Sequence, residues 1–296
     1  MQQAVECAGA PRDLGLDQGR ACRAALRDAY ARAPLRERWG WPRSAARLER
    51  DLKRHFPHLA ESLAGLAAGA GVPARWLLRR LAAELDLPAH ESRAAAIATG
   101  TDVRLAVVRG GAWIARRRRP EGGFACLELV RPWSAAAFAG VNEAGLAVVA
   151  APARGPDGGC AAPAALLAQD CLERFSRLES ALEWCSTRPT GHTAGLLLAD
   201  AEGDLAGVER RGGESRVLRP EGRREAARLA WAPDAVGAAE LAKALREAPL
   251  LLAALPRALG PGTSAGLVTV VVEPVRRRLG VIAAARAGAE PDWLSL

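Results

Sequence analysis

Apolar residues recur through the first third of the chain at the spacing of buried helix faces. Leu48, Leu52 and Phe56 stand at i, i+4, i+8. Leu59, Leu63 and Leu66 stand at i, i+4, i+7. Trp76, Leu77, Leu81 and Leu85 follow after Gly69, Gly71 and Pro73. A helix of 3.6 residues per turn gathers such positions on one side. The spacing predicts helices over Ala21–Ala31, Ala45–Phe56 and the two segments between His55 and Leu85, with a break at Trp39, Trp41 and Pro42. Gly15 and Gly19 fall on one helical stripe and admit close approach of another backbone. A phosphate loop is rejected there, because the pattern offers neither a preceding strand nor a following Lys-Ser/Thr.

Beyond Asp86–Pro88 the small residues Ala94, Ala95 and Ala96 suit a crowded central strand, and past Gly100 the period shortens towards two. Val103–Val108 and Ala112–Arg116 flank Arg109-Gly110-Gly111 and are read as a hairpin. Phe124–Arg131, Ser134–Val141 and Leu146–Ala150 read as strands, the last two joined by a turn at Asn142–Gly145. Helices are expected over Pro163–Arg174 and, behind a capping box at Ser176–Glu179, to Cys185. Thr193–Ala199 with Asp204–Arg210, and Leu267–Glu273 with Leu279–Ala284, read as hairpins, and Asp234–Glu247 as a helix. Helices first, then hairpins, two helices and more hairpins predict an α+β fold with antiparallel sheets.

Composition narrows the classes. Half of the 296 residues are hydrophobic, enough for a sizeable core. The charge is +8, yet Lys53 and Lys243 are the only lysines among 41 basic residues, a skew typical of a GC-rich bacterial coding sequence. The arginines are scattered, so no nucleic-acid partner is expected. The runs Arg116–Arg119 and Arg276–Arg278 are read as solvated hairpin tips. Six cysteines without CxxC spacing, and no signal peptide at Met1–Arg12, point to a reducing cytoplasm. No apolar run reaches the length of a membrane span. Neither a cofactor nor a metal site is expected, the histidines being dispersed.

Three ordered motifs carry a resemblance. They are Gly9-x-Pro11-x3-Gly15-x3-Gly19, then Phe56-Pro57-x-Leu59-x-Glu61-x2-Ala64-Gly65-x-Ala67-x-Gly69-Ala70-Gly71, then Gly140-Val141-Asn142-Glu143-Ala144-Gly145-Leu146-Ala147-Val148. The sequence resembles the acyl-coenzyme A:6-aminopenicillanic acid acyltransferase family, the isopenicillin N acyltransferase-like branch of the N-terminal-nucleophile hydrolases. The resemblance spans nearly the whole chain. It implies an αββα sandwich in a single domain, 1–296, with a helical part over 1–90 and the sandwich over 91–296. It also implies a precursor that cuts itself before a cysteine, whose thiol then attacks an amide or thioester carbonyl with its own α-amino group as base. Asn side chains and backbone N–H groups stabilise the oxyanion in such a mechanism.

This chain departs from the family where the chemistry sits. No cysteine lies between Cys22 and Cys126. The family nucleophile falls on Ser92 or Arg93. The family's Asn-x-Asp segment overlies Ala112–Arg117, its next Asn overlies Gly195, and its late His-Thr-Asn segment overlies Arg228–Trp231. Asn142 survives in the oxyanion-region turn. The candidate catalytic residues are therefore Ser92 as substitute nucleophile and Asn142 as oxyanion donor. Each has a plainer role open to it: a strand-entry hydroxyl for Ser92, a self-bonded turn for Asn142. His90 and His192 lie near the presumed site, His55 and His58 flank Phe56-Pro57, and the cysteines read as small core residues. Three functions follow: a degenerate acyltransferase or amidohydrolase that binds a small acyl-amide, peptide-like or thioester ligand; a working enzyme using Ser92; or a partner of an active paralogue. A homo-oligomer is compatible with each.

Overall fold

The structure, a computed structural model, describes residues 4–40, 42–83, 93–99, 102–152, 164–188, 194–211, 214–221, 227–232, 239, 243, 267–283 and 292–296. After β1 (Val5–Gly9) come α1 (Pro11–Ala21), α2 (Arg23–Arg32), α3 (Leu35–Trp39), α4 (Arg43–His55), α5 (Pro57–Ala70) and α6 (Ala74–Ala83). Then follow β2 (Arg93–Thr99), β3 (Asp102–Gly110), β4 (Ile114–Pro120), β5 (Cys126–Val130), β6 (Ala137–Asn142) and β7 (Ala147–Pro152). Next are α7 (Ala164–Arg174), α8 (Leu178–Thr187), β8 (Ala194–Ala199), β9 (Leu205–Arg211) and β10 (Glu214–Leu218). The chain ends with β11 (Ala227–Trp231), β12 (Leu267–Glu273), β13 (Arg278–Ala283) and β14 (Asp292–Ser295).

Two sheets result. One runs β1-β4-β5-β6-β7-β8-β9-β10, the other β11-β2-β3-β12-β13-β14. Among the described strands every pairing is antiparallel except β1 with β4. Strand alternation sends every second side chain into the space between the sheets, where Leu105, Val107, Leu127, Val141, Val149, Leu197, Val270 and Val272 form one core. The opposite set on the eight-stranded sheet, with Phe138, Val148, Leu196 and Val208, packs under α5, α7 and α8 and forms a second core. Ala95, Ala106 and Val271 lie outside the inter-sheet core, on the far face of the six-stranded sheet, and are buried too, so this sheet is covered on both faces. The architecture is the αββα sandwich, mixed α+β. The helix expected at Asp234–Glu247 lies outside the described residues, apart from Ala239 and Lys243, both helical.

The glycine stripe does what its spacing predicts. A Cβ placed on Gly15 would meet the Ser62 carbonyl oxygen at 1.8 Å, and one on Gly65 would meet that of Arg12 at 2.0 Å. α1 and α5 thus touch backbone to backbone along Gly15, Gly19, Gly65 and Gly69. Contrary to the sequence reading, a strand does precede this stretch: β1. The Lys-Ser/Thr is still missing, and the glycines face α5 rather than an anion.

Three other expectations change. Val103–Val108 and Ala112–Arg116 are not a hairpin: β3 belongs to the six-stranded sheet and β4 to the eight-stranded one. The chain changes sheet at Gly111, whose φ of +92° suits glycine. The capping box is not formed, because α8 starts one residue late, with Arg177 as N-cap and no side-chain cap. Arg116 and Arg118 do not sit at a solvated tip but inside the molecule, 2% and 0% exposed. The other run behaves as expected at Arg276 and Arg277, exposed at the β12–β13 turn.

Candidate functional site

Ser92, His90 and His192 lie outside the described residues. Their surroundings are partly visible. β2 starts at Arg93, directly after Ser92, and lies between β11 and β3. Ala94, Ala96 and Ala98 are wholly buried in the inter-sheet core, so small residues are required there. Trp231, the last residue of β11, pairs with Ala94. Its indole crosses the inter-sheet space to the start of β8, where a Cβ on Gly195 would come within 2.2 Å of Trp231 Cδ2. Gly195 and Trp231, which lie far apart in the sequence, are therefore in contact, as glycine and indole. Trp231 is 3% exposed, and its Nε1 has no hydrogen-bond partner among the described residues. Apolar bulk with an idle N–H occupies this end of the sheet interface.

Asn142 ends β6 and is wholly buried. Its neighbour Val141 points between the sheets, so alternation turns Asn142 the other way, towards α7. Its Nδ2 donates to the carbonyl oxygens of Leu172 and Phe175 at 2.9 and 2.8 Å, and its Oδ1 accepts the Leu146 N–H at 2.9 Å. Both amide hydrogens are committed. Asn142 ties the β6–β7 turn to the end of α7, and Gly145 at φ +88° completes that turn.

The largest concentration of buried polar groups was not read from the sequence. Strand alternation puts Arg116 and Arg118 on the helix-facing side of β4. Arg116 donates from Nε and Nη2 to Glu128 Oε2 at 2.8 and 2.6 Å, and from Nη2 to Gln169 Oε1 at 2.9 Å. Its Nη1 reaches Gln18 Oε1. Arg118 pairs with Glu173 Oε1 at 2.9 Å and donates to Ser62 Oγ at 3.1 Å. Gln169 donates to Glu128 and Glu173. Burial alone would lower the Arg116 pKa, but Glu128 overcomes it and holds the guanidinium above its ordinary value. His58 closes the array, with Nε2 3.3 Å from Asp170 Oδ1. The glycine seam makes this possible, since α1 and α5 bring Gln18 and Ser62 onto β4. A charge-assisted lattice of this kind fixes helices on a sheet. The signal available in sequence was the pairing of alternating arginines in β4 with Glu128 in the next strand.

No described cysteine is poised to attack. Cys126, Cys171 and Cys185 are wholly buried. Burial pushes the Cys7 and Cys22 thiols up to about 11, and burial raises Cys126 well above the ordinary thiol range. Cys171 is also raised, first by its contact with the Cys185 sulfur 3.3 Å away. Among the described residues no three His, Cys, Asp or Glu side chains are grouped to hold a metal. No described helix is long and apolar enough to cross a membrane.

No protein-family model matches the sequence, and no curated protein does. Solved structures do. The chain is similar to a Caenorhabditis elegans N-acylethanolamine-hydrolyzing acid amidase ortholog, with TM-score 0.50 and 11% identity over 68% of this chain and 99% of that one. It is also similar to penicillin V acylase from Agrobacterium tumefaciens, with TM-score 0.44 and 16% identity over 69% and 86% of the two chains. A mutant of conjugated bile acid hydrolase from Clostridium perfringens gives 0.44 and 10% over 69% and 92%. At 11% identity the first likeness is one of fold: this chain folds as an N-terminal-nucleophile hydrolase does.

Proposed function

We propose that this protein is a catalytically degenerate relative of the isopenicillin N acyltransferase-like enzymes, one that keeps the sandwich and binds an acyl or peptide-like ligand without turning it over. One observation carries the reading: Trp231 lies on Gly195 beside Ala94, two residues from Ser92. An acyl-transfer site needs donors aimed at the developing oxyanion and room for the carbonyl. A rigid indole packed beside the start of β2 supports the reading that no such donor set is kept there. Asn142 is a structural residue in this reading, both its amide hydrogens being bound to carbonyls. The β4 segment that would supply an orienting carboxylate instead carries arginines neutralised by Glu128 and Glu173.

A second reading has one observation in its favour. In sequence Ser92 directly precedes β2, whose Ala94, Ala96 and Ala98 belong to the inter-sheet core. A chain that cleaved before Ser92 would carry a hydroxyl and an α-amine together there, enough for amide hydrolysis or acyl transfer. Incubation with a fluorogenic acyl-amide and with an acyl thioester separates the two readings. Degeneracy predicts no release above buffer and no acyl adduct on the chain. An adduct on Ser92, absent from Ser92→Ala, would overturn it.

A further inference from the structure

A second region owes nothing to the sheet interface. A cavity of about 390 Å³ opens where α6 and α3 meet the turn at Gly111 and the segment after β5; Trp76, Arg79, Arg80, Arg131, Trp133 and Glu37 line it. That volume is in the range of small-molecule sites. Its walls are flat and aromatic, and the described residues that line it carry three guanidiniums and one carboxylate.

The guanidiniums are held in place by packing. Arg80 lies between two indoles, 5.0 Å from the Trp76 ring centre and 4.6 Å from that of Trp133. It is half-buried and forms no ion pair or hydrogen bond among the described residues. Arg131 is 5% exposed, 3.9 Å above the Trp113 ring and 5.7 Å from that of Trp133, and donates to the Ala112 carbonyl at 3.3 Å. Gly111 makes this possible, because a Cβ there would meet Arg131 Nη1 at 2.2 Å. Arg80 and Arg131 thus share one indole. Arg79 donates to the carbonyls of Arg36 and Gly40. Glu37 lies at the same cavity without pairing to any of the three. Stacking orients a guanidinium and leaves its N–H edge free to donate.

We propose that this cavity binds a small organic carboxylate with a flat apolar body, the carboxylate taken by the Arg80 edge and the body lying against Trp76 and Trp133. Guanidinium matches carboxylate geometry in paired hydrogen bonds, and the indoles supply the apolar contact. The assignment is independent of the state of Ser92.

The test is calorimetric titration of the full chain with 2-naphthoate, its neutral counterpart 2-naphthamide, and 1-naphthyl phosphate. The expected order is naphthoate tightest, at least about tenfold over the amide. Arg80→Gln removes that preference, Arg80→Lys keeps only part of it, and Glu37→Gln strengthens acid binding. Ser92→Ala leaves all three affinities unchanged. Equal affinity for acid and amide in the unmodified protein overturns the proposal whether or not the variants fold. So does failure of naphthoate to saturate by about 1 mM. Tighter binding of the phosphate overturns the carboxylate assignment.

Discussion

Replacing Gly65 by Ala puts two opposite effects in competition. In an isolated helix the change is favourable by about 1 kcal/mol, since alanine loses less backbone freedom than glycine. Here the new methyl would stand 2.0 Å from the Arg12 carbonyl oxygen and 2.9 Å from its carbon. Both obstacles are backbone, so no rotamer change relieves them. Restoring an ordinary contact requires α1 and α5 to part by about 1 Å, which loosens the seam along Gly15, Gly19 and Gly69. Overpacking of this kind costs about 1–3 kcal/mol, the upper end applying where neither side can yield. The parting also draws Ser62 from Arg118 and Gln18 from Arg116. The net expectation is a loss of about 2 kcal/mol, or roughly 3 °C in melting temperature for a chain of this size. Urea unfolding and a thermal scan followed by far-UV circular dichroism measure it. A Gly65→Ala protein more stable than the parent would refute the seam, because propensity would then have acted alone.

Three further outcomes follow from the same geometry. Glu128→Gln leaves Arg116 buried without its anionic partner, and unfolding stability falls by about 3–5 kcal/mol; a loss below about 1 kcal/mol in urea titration would show that the lattice holds little. Asn142→Asp replaces a donor facing two carbonyls by a carboxylate, and costs about 2–4 kcal/mol at neutral pH. That deficit shrinks as the pH falls far enough to protonate the new side chain, which melts across a pH series would display. Cys7 and Cys22, with pKa values of about 11, are mostly thiol at neutral pH. Iodoacetamide near pH 8 should therefore leave both unlabelled in the native chain, label them in denaturant, and label the native chain faster as the pH rises towards about 11. Rapid native labelling at neutral pH would contradict their burial.

Much of the fold is visible in the sequence where one period dominates. Leu59, Leu63 and Leu66 mark α5 because its buried face is plainly apolar, and the glycine stripe marks the seam because only a missing Cβ explains it. The hairpins β8–β9 and β12–β13 were equally legible, since the turns between them are short and polar. What escaped was structure whose side chains contradict their location. β1 buries only Cys7, and β10 buries nothing, so neither shows an alternating apolar face. Arg116 and Arg118 read as solvent-facing because a charged run normally is. Their burial depends on Glu128, Gln169 and Glu173, which the fold brings in from β5 and α7. At the candidate site, the sequence showed Gly195 and Arg228–Trp231 where the resemblance implies polar groups, but not that two of these residues touch. Gly195 and Trp231 are 36 positions apart, and only the stacking of two sheets makes them a pair.

The intact mass of the purified protein under denaturing conditions tests the central claim most directly. A chain that has lost its self-cleaving chemistry gives one species at 31.1 kDa. A pair of fragments, the larger beginning at Ser92 with a free amine, would mean that the sheet interface still works as a nucleophile's site.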